Sequence, residues 1–139
     1  MILPFLLHFV KGSFTFRILD LTRHSPDTEY FLDSTAFDIL SARKTFISNI
    51  SRGKIIKQDD LISALKAGKL RGAALDVTDP EPLPADNELW DLPNVILTPH
   101  ISGWNAAYSE RSFRILERNL ELRANGEEMF NVVDRKRGY

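Results

Sequence analysis

Three side chains between positions 52 and 100 combine the groups needed to move a proton and to bind an acid. Arg52 supplies a guanidinium, Glu81 a carboxylate and His100 an imidazole. An imidazole paired with a carboxylate can hold and return a proton near neutral pH, and a guanidinium fork can clamp a carboxylate ligand. The three residues are 29 and 19 positions apart, so no single helix can bring them together. We therefore expect separate elements to position them.

Short β-branched runs precede these groups and predict the strands of a parallel sheet. The predicted strands run from Arg17 to Thr22, Lys44 to Ile50, Gly72 to Val77 and Val95 to Thr98. Apolar residues at helical spacing predict an amphipathic helix from Gln58 to Lys69. The carboxyl ends of parallel strands meet at one edge of a sheet, where open α/β folds bind ligands. The three groups should therefore converge at that edge.

The remaining segments fit the same architecture. A short helix capped by Thr28 or by Asp33-Ser34 should follow the first strand, and a long helix should run from Trp104 to Ala124. A proline-rich loop through Pro80, Pro82 and Pro84 must lie outside the sheet. This order predicts an α/β fold: the second half of a doubly wound, Rossmann-like parallel sheet, with a long C-terminal helix.

Composition narrows the classes of function. The 139 residues carry a formal net charge of -1, which argues against an extended nucleic-acid surface. Without cysteine there is no disulfide framework, and the cytoplasm is the default location. The apolar segment from Met1 to Val10 is too short to span a bilayer and lacks the flanks of a secretory signal. Histidines at metal-ligand spacing are absent, so we expect no metal. For the reasons above, we also expect no membrane and no nucleic-acid partner.

Taken singly, each candidate residue has a structural explanation, such as a surface arginine, a proline turn or a strand-end histidine. Taken together, three segments resemble the D-isomer-specific 2-hydroxyacid dehydrogenase family in their residue types and their order: Asn49 to Gly53, Leu75 to Pro82 and Thr98 to Gly103. The resemblance covers roughly Ile18 to Tyr139. It implies a nicotinamide-dependent oxidoreductase that interconverts a 2-oxo acid and its D-2-hydroxy acid.

The resemblance also implies roles for individual residues. Arg52 would bind the substrate carboxylate and the oxygen at the reacting carbon, and His100 would be the acid in reduction and the base in oxidation. Glu81 would hydrogen-bond the imidazole. Contacts with NAD or NADP would come from a wider set: Thr22, Ile50, Ser51, Arg52, Asp76, His100 and Gly103. In that set Asp76 would hold the nicotinamide carboxamide.

The sequence also departs from the family. It has no Gly-x-Gly-x-x-Gly loop to seat a pyrophosphate and no acidic residue placed to recognise the adenosine ribose. We therefore expect an N-terminally truncated chain with three parts: an atypical segment at 1–16, a partial NAD(P)-binding domain at 17–103, and a helix and tail at 104–139. The first predicted strand would then be an exposed edge. Either residues 1–16 fold over this edge, or the chain is poorly soluble or associates through it with itself or another polypeptide; we expect self-association.

Two functions are consistent with these observations. The first is an NAD(P)-dependent oxidoreductase acting on the CH-OH group of D-2-hydroxy acids. The second is a catalytically inactive remnant, or an interaction module, in which Arg52, Glu81 and His100 persist without use. The sequence leaves open the particular 2-oxo acid, for example glyoxylate, hydroxypyruvate or a bulkier one, and the choice between NAD and NADP.

Overall fold

The sheet of this protein has the parallel topology that the sequence predicts. The computed structural model describes residues 7–9 and 17–21 by their backbone and residues 28–135 in full. The elements are β1 (Leu7–Phe9), β2 (Arg17–Leu21), α1 (Ser34–Ser41), β3 (Phe46–Asn49), α2 (Gln58–Lys66), β4 (Gly72–Leu75), β5 (Val95–Leu97) and α3 (Tyr108–Ala124). Strands lie in the order β1-β2-β3-β4-β5, and the pairs from β2 to β5 are all parallel. The predicted α/β class and partial Rossmann-like sheet with a C-terminal helix are confirmed.

Strand register brings the ends of β3, β4 and β5 level with one another. Asn49, the last residue of β3, pairs with Leu75, the last residue of β4, and Leu75 pairs with Leu97, the last residue of β5. Residues that follow these three strands therefore emerge side by side at one edge of the sheet. This edge carries the segments on which the sequence places its chemistry.

Helices α1 and α2 cover the sheet with apolar side chains. Asp33 caps α1 by accepting a hydrogen bond from the amide of Ala36, which satisfies one of the free donors at the helix start. Helix α2 ends at Lys66, three residues before the predicted end, because Gly68 adopts the left-handed conformation with φ of 64°. The largest fully buried apolar side chains are those of Phe37, Ile47, Leu61, Leu70 and Leu89.

The outer edge of β2 is paired rather than open. Strand β1 lies antiparallel to β2, with Leu7 opposite Leu19 and Phe9 opposite Arg17. This is the first of the alternatives considered for that edge, in which part of residues 1–16 folds over it. The edge expected to mediate self-association is therefore occupied by the chain itself.

Contacts divide the chain into two compact units, Met1–Ser102 and Gly103–Tyr139. The second unit is built on α3, which begins at Tyr108 rather than at Trp104 because Asn105 forms a turn before it. The Asn105 side chain accepts a hydrogen bond from the amide of Ala107, and its carbonyl accepts one from the amide of Tyr108. Among the described residues, no helix has the length and apolar character needed to cross a membrane.

Gly53 lies where two of the edge segments touch. It follows Arg52 and opens a short 3₁₀ turn, Gly53–Ile55. A Cβ atom at this position would overlap the backbone carbonyl of Thr78, with the amide of Asp79 also in close contact. The absence of a side chain at position 53 therefore allows the turn after β3 to lie directly against the loop after β4.

We predict that Gly53→Ala lowers the free energy of unfolding by about 1–3 kcal/mol, because backbone must move to admit the methyl group. Urea unfolding followed by circular dichroism measures this change. Gly103→Ala is the matched control, since no atom lies within 4 Å of an added Cβ there. Equal stability of the two variants would contradict the close packing at Gly53.

Candidate active site

His100 and Glu81 form a hydrogen-bonded pair at the carboxyl edge of the sheet. The Nδ1 atom of His100 lies 2.6 Å from Oε1 of Glu81, and the side chains are 48% and 40% exposed. An ionised carboxylate can only accept a hydrogen bond, so the Nδ1–H group of His100 donates to Glu81. The other ring nitrogen, Nε2, takes no part in this contact. The arrangement leaves Nε2 as the ring atom through which His100 can exchange a proton with a ligand.

The backbone at His100 has an unusual conformation that its neighbours fix. Its φ of 53° lies in the left-handed region, which non-glycine residues seldom adopt. The amide of His100 donates to the backbone carbonyl of Asp76 at 2.9 Å. The carboxylate of Asp76 accepts hydrogen bonds on both sides of His100: from the Thr98 hydroxyl at 2.5 Å, the Ile101 amide at 3.0 Å and the Ser102 amide at 2.8 Å. We call residues 98–102 the histidine turn.

Asp76 is a buried charge that these donors stabilise. The residue is 4% exposed. Burial alone would raise the pKa of its carboxyl, but the hydrogen bonds from Thr98, Ser102 and Ile101 outweigh burial and hold that pKa well below its usual range. Asp76 is therefore ionised in the folded chain, and its charge is compensated by the histidine turn.

Residues of two other segments, and one hydrogen bond within the loop, hold the loop that carries Glu81. The amide of Asp79 donates to the side-chain oxygen of Gln58, at the start of α2, at 3.3 Å. The Tyr30 hydroxyl donates to the Asp79 carboxylate at 2.9 Å. The Thr78 hydroxyl donates to the carbonyl of Pro80 at 3.0 Å. These contacts tether the chain just before Glu81.

Arg52 lies in a separate turn that Asn49 supports. Asn49 is fully buried; its amide nitrogen donates to the carbonyl of Arg52 at 2.9 Å, and its side-chain oxygen accepts from the amide of Ser51 at 3.1 Å. The Arg52 guanidinium is exposed and donates to the carbonyl of Ser51 at 2.6 Å. The structure thus brings Glu81 and His100 into contact, whereas the guanidinium bonds to its own turn.

A cavity of about 420 Å³ lies beside the His100–Glu81 pair. Asp76, Glu81 and His100 contribute its polar wall, and Leu83, Trp90 and Leu97 contribute an apolar one. The indole nitrogen of Trp90 donates to the carbonyl of Pro84 at 2.9 Å, which fixes the ring at the cavity margin. The pair therefore borders a space large enough for a small organic acid.

The other predicted contact residues lie in different surroundings. Ile50 follows β3 and is 48% exposed, and Ser51 bonds to Asn49. Thr22 lies outside the described residues, and Gly103 begins the second compact unit. Among the described residues, no group of three His, Asp or Glu side chains could hold a metal ion.

Sequence reasoning missed three residues that organise the edge: Asn49, Thr98 and Tyr30. Asn49 carries a readable signal, because a polar amide at the end of a β-branched run must find partners when buried. Thr98 offers a weaker one as a hydroxyl two positions before His100. Nothing in the local pattern around Tyr30 indicates its contact with Asp79, which is 49 residues away.

The tether between Tyr30 and Asp79 can be tested by titration. The hydrogen bond to Asp79 and the charge of that carboxylate raise the pKa of the Tyr30 phenol. We predict that Asp79→Asn lowers the pKa of Tyr30, measured as the difference in phenolate absorbance between each chain and its Tyr30→Phe counterpart. Glu29→Gln should give a smaller change, since Glu29 is the weakest contributor. An unaltered Tyr30 titration in Asp79→Asn would contradict the tether.

The charge of Asp76 should make stability depend on pH. We predict that Asp76→Asn lowers the free energy of unfolding near neutral pH by about 1–3 kcal/mol, because an amide cannot accept all the donors of the histidine turn. Folding lowers the pKa of Asp76, so its stabilisation is complete above the ordinary aspartate value of about 4 and is lost as the pH falls through the folded-state value. The difference between the two chains should therefore narrow below about pH 4.

Urea unfolding at a series of pH values measures this difference. The control is Asp86→Asn, which changes an exposed aspartate and should shift stability by no more than about 0.5 kcal/mol at neutral pH. A gap between the wild type and Asp76→Asn that stays constant into acid would show that the charge is not what stabilises the turn.

Comparisons with known proteins address the same region. Residues 18–102 match the model of the D-isomer specific 2-hydroxyacid dehydrogenase, NAD binding domain. Over 91 residues, 66% of this chain, the sequence is 46% identical to an uncharacterised protein of Corynebacterium melassecola, of which the match covers 30%.

Two solved structures share the fold. A D-isomer specific 2-hydroxyacid dehydrogenase from Xanthobacter autotrophicus, in complex with NADPH and MES, is 30% identical, with a TM-score of 0.79 over 88% of this chain and 50% of that one. An NADPH-dependent glyoxylate/hydroxypyruvate reductase from Sinorhizobium meliloti, in complex with NADP and sulfate, is 31% identical, with a TM-score of 0.79 over 88% of this chain and 40% of that one. This chain thus spans half or less of the length of these relatives. The extent of the match, 85 of 139 residues, shows that the chain belongs to the D-isomer specific 2-hydroxyacid dehydrogenase family and contains part of its NAD-binding domain.

Proposed function

We propose that this chain carries the proton-transfer site of an NAD(P)-dependent oxidoreductase that acts on the CH-OH group of D-2-hydroxy acids. The observation that carries the proposal is the 2.6 Å contact between His100 Nδ1 and Glu81 Oε1 beside a cavity. Members of the family are NAD(P)-dependent 2-hydroxyacid dehydrogenases. The reduction direction, from 2-oxo acid to 2-hydroxy acid, is the one described below.

His100 is the acid of the proposed reaction. With Nδ1–H bonded to Glu81, protonation places the second proton on Nε2, from which it passes to the carbonyl oxygen as the hydroxyl forms. The nicotinamide, when bound, supplies the hydride that the carbonyl carbon accepts. In the opposite direction the neutral Nε2 accepts the hydroxyl proton. Glu81 keeps the imidazole oriented in both directions by accepting the hydrogen bond from Nδ1–H.

Arg52 is the residue proposed to bind the substrate carboxylate. Its guanidinium is exposed and donates a hydrogen bond to the carbonyl of Ser51; within the described residues, rotation toward a ligand costs this one bond. A bidentate pair with a carboxylate offers two charge-assisted hydrogen bonds in return. The backbone of Arg52 is fixed by Asn49, which confines that movement to the side chain.

The described residues fit the nicotinamide end of the cofactor. Exposed Ile50 offers an apolar contact after β3, and partly buried Ser51 and exposed His100 follow strands that end at the same edge. We propose these residues as contacts, together with Thr22 and Gly103 from the family resemblance. The 139 residues contain no Gly-x-Gly-x-x-Gly loop for the pyrophosphate, so contacts within this chain hold only part of the cofactor.

A second candidate function follows from that missing loop. Losing a pyrophosphate site removes several hydrogen bonds and a helix-dipole contribution, each on the order of 1 kcal/mol, which together can weaken cofactor binding many hundredfold. A chain with such weak binding would be a catalytically inactive remnant or an interaction module of the same family. The two functions differ in whether the purified chain binds reduced cofactor.

We predict that the purified chain oxidises NADH or NADPH in the presence of a 2-oxo acid and that His100→Gln lowers this rate by about 10²–10⁴-fold, because the proton donor is lost. The assay follows the absorbance of the reduced nicotinamide with glyoxylate, hydroxypyruvate, pyruvate and phenylpyruvate as substrates. His8→Gln is the control for a histidine change outside the proposed site, and it should retain the wild-type rate.

Fluorescence titration of NADH and NADPH separates the two functions. Saturable binding below about 1 mM, within the usual range for enzyme substrates, would support catalysis by this chain. No saturation up to that concentration, together with no turnover, would reject independent catalysis and favour the inactive module.

A further inference from the structure

Asp76 has its carboxylate directed into the chain. Its Oδ1 atom accepts hydrogen bonds from the Thr98 hydroxyl and the Ile101 amide, and its Oδ2 atom accepts one from the Ser102 amide. A carboxylate has about four acceptor positions, so three of them are used within the chain. The residue is 4% exposed, so most of its carboxylate faces donors of the chain itself.

The donors to Asp76 surround His100 in sequence. Thr98 lies two residues before the histidine, and Ile101 and Ser102 are the two residues after it. The amide of His100 itself donates to the carbonyl of Asp76, so side chain and backbone of one residue bind four positions of the histidine turn. This network holds the backbone of His100 at its left-handed φ of 53°.

We propose that Asp76 is a positioning residue for His100: its carboxylate fixes the histidine turn and thereby holds the imidazole with Nδ1–H toward Glu81. The direction in which the imidazole leaves the backbone depends on the φ and ψ of His100, which the network determines. If the turn relaxes, His100 returns toward common backbone angles and Nδ1 moves away from a carboxylate that other segments hold in place. The role in proton transfer rests on the proposed function, whereas the geometric role does not.

The tautomer of His100 reports this positioning without any need for turnover. In water the neutral imidazole favours the Nε2–H form, whereas the contact with Glu81 requires Nδ1–H. Long-range proton–nitrogen correlation spectra of the ¹⁵N-labelled full chain distinguish the two forms at about pH 9, where imidazoles are neutral. The sequence has three histidines, so the His100 signals can be assigned by their loss in His100→Gln.

We expect the wild type to show the Nδ1–H tautomer at His100 and Asp76→Asn to reduce the ratio of Nδ1–H to Nε2–H about tenfold or more, the ratio that corresponds to losing one charge-assisted hydrogen bond. Asp86→Asn, the same chemical change at an exposed loop position, should leave the ratio as in the wild type. A folded Asp76→Asn chain with the wild-type tautomer would overturn the proposal.

Thr98 provides the deciding variant if Asp76→Asn does not fold. Thr98→Val removes only the hydroxyl that donates to Asp76, whereas Thr98→Ser keeps it. We then expect the tautomer ratio to fall in Thr98→Val and to recover in Thr98→Ser, and equal ratios in the two variants would overturn the proposal. A role of Thr98 limited to packing would lower stability without changing the tautomer.

This measurement separates the positioning role from the proposed function. A tautomer that depends on Asp76 supports positioning even if the chain neither binds cofactor nor reduces a 2-oxo acid. Turnover with a tautomer that is independent of Asp76 would leave the proposed function standing and overturn the positioning role.

Discussion

The buried carboxylate of Asp76 is the interaction on which the geometry of the candidate site depends. Parallel strands that end level with one another release their chains at the same edge, but they do not determine the path that each chain takes afterwards. At this edge the paths are set by polar groups buried beneath the turns. Asp76 binds the turn that carries His100, and Asn49 binds the turn that carries Arg52. The amide of Asp76 also donates to the carbonyl of Asn49 at 2.9 Å, which joins the two supports.

This organisation explains a difference between the two parts of the proposed site. The proton-transfer pair is already in contact, whereas the guanidinium proposed to bind the substrate carboxylate is bonded to its own turn. Glu81 and His100 are attached to segments that are tethered at several points, and their side chains meet. Arg52 has an equally well-held backbone but a long, exposed side chain, whose guanidinium bonds to the nearest carbonyl. A proton-transfer pair that is formed before substrate arrives needs no rearrangement to reach its reactive geometry. A carboxylate clamp can form as the ligand binds, because the ligand itself supplies the partner charge.

The sequence predicts the sheet and the general position of the site because both depend on local patterns. Short apolar runs indicate β3, β4 and β5, and the order of strands and helices indicates parallel pairing. The convergence of the segments bearing Arg52, Glu81 and His100 at one edge can therefore be expected from the sequence. The helix boundaries are less accurate because they depend on single residues: Gly68 shortens α2, and Asn105 delays α3. The contact of Tyr30 with Asp79 could not be predicted, since it depends on how two distant loops pack.

The sequence did indicate that Asp76 needed a partner, and the structure shows three donors within the chain. A carboxylate within an apolar strand end must be compensated, and a ligand donor or a protein donor can each do so. The protein donors become visible only in the three-dimensional path of residues 98–102, which brings a hydroxyl and two amides to the carboxylate. As a consequence, the free energy that keeps Asp76 charged inside the fold is the same free energy that holds His100 in its left-handed conformation. The stability of this edge and the orientation of the imidazole are therefore linked. A substitution that removes the charge of Asp76 also removes hydrogen bonds that hold the histidine turn.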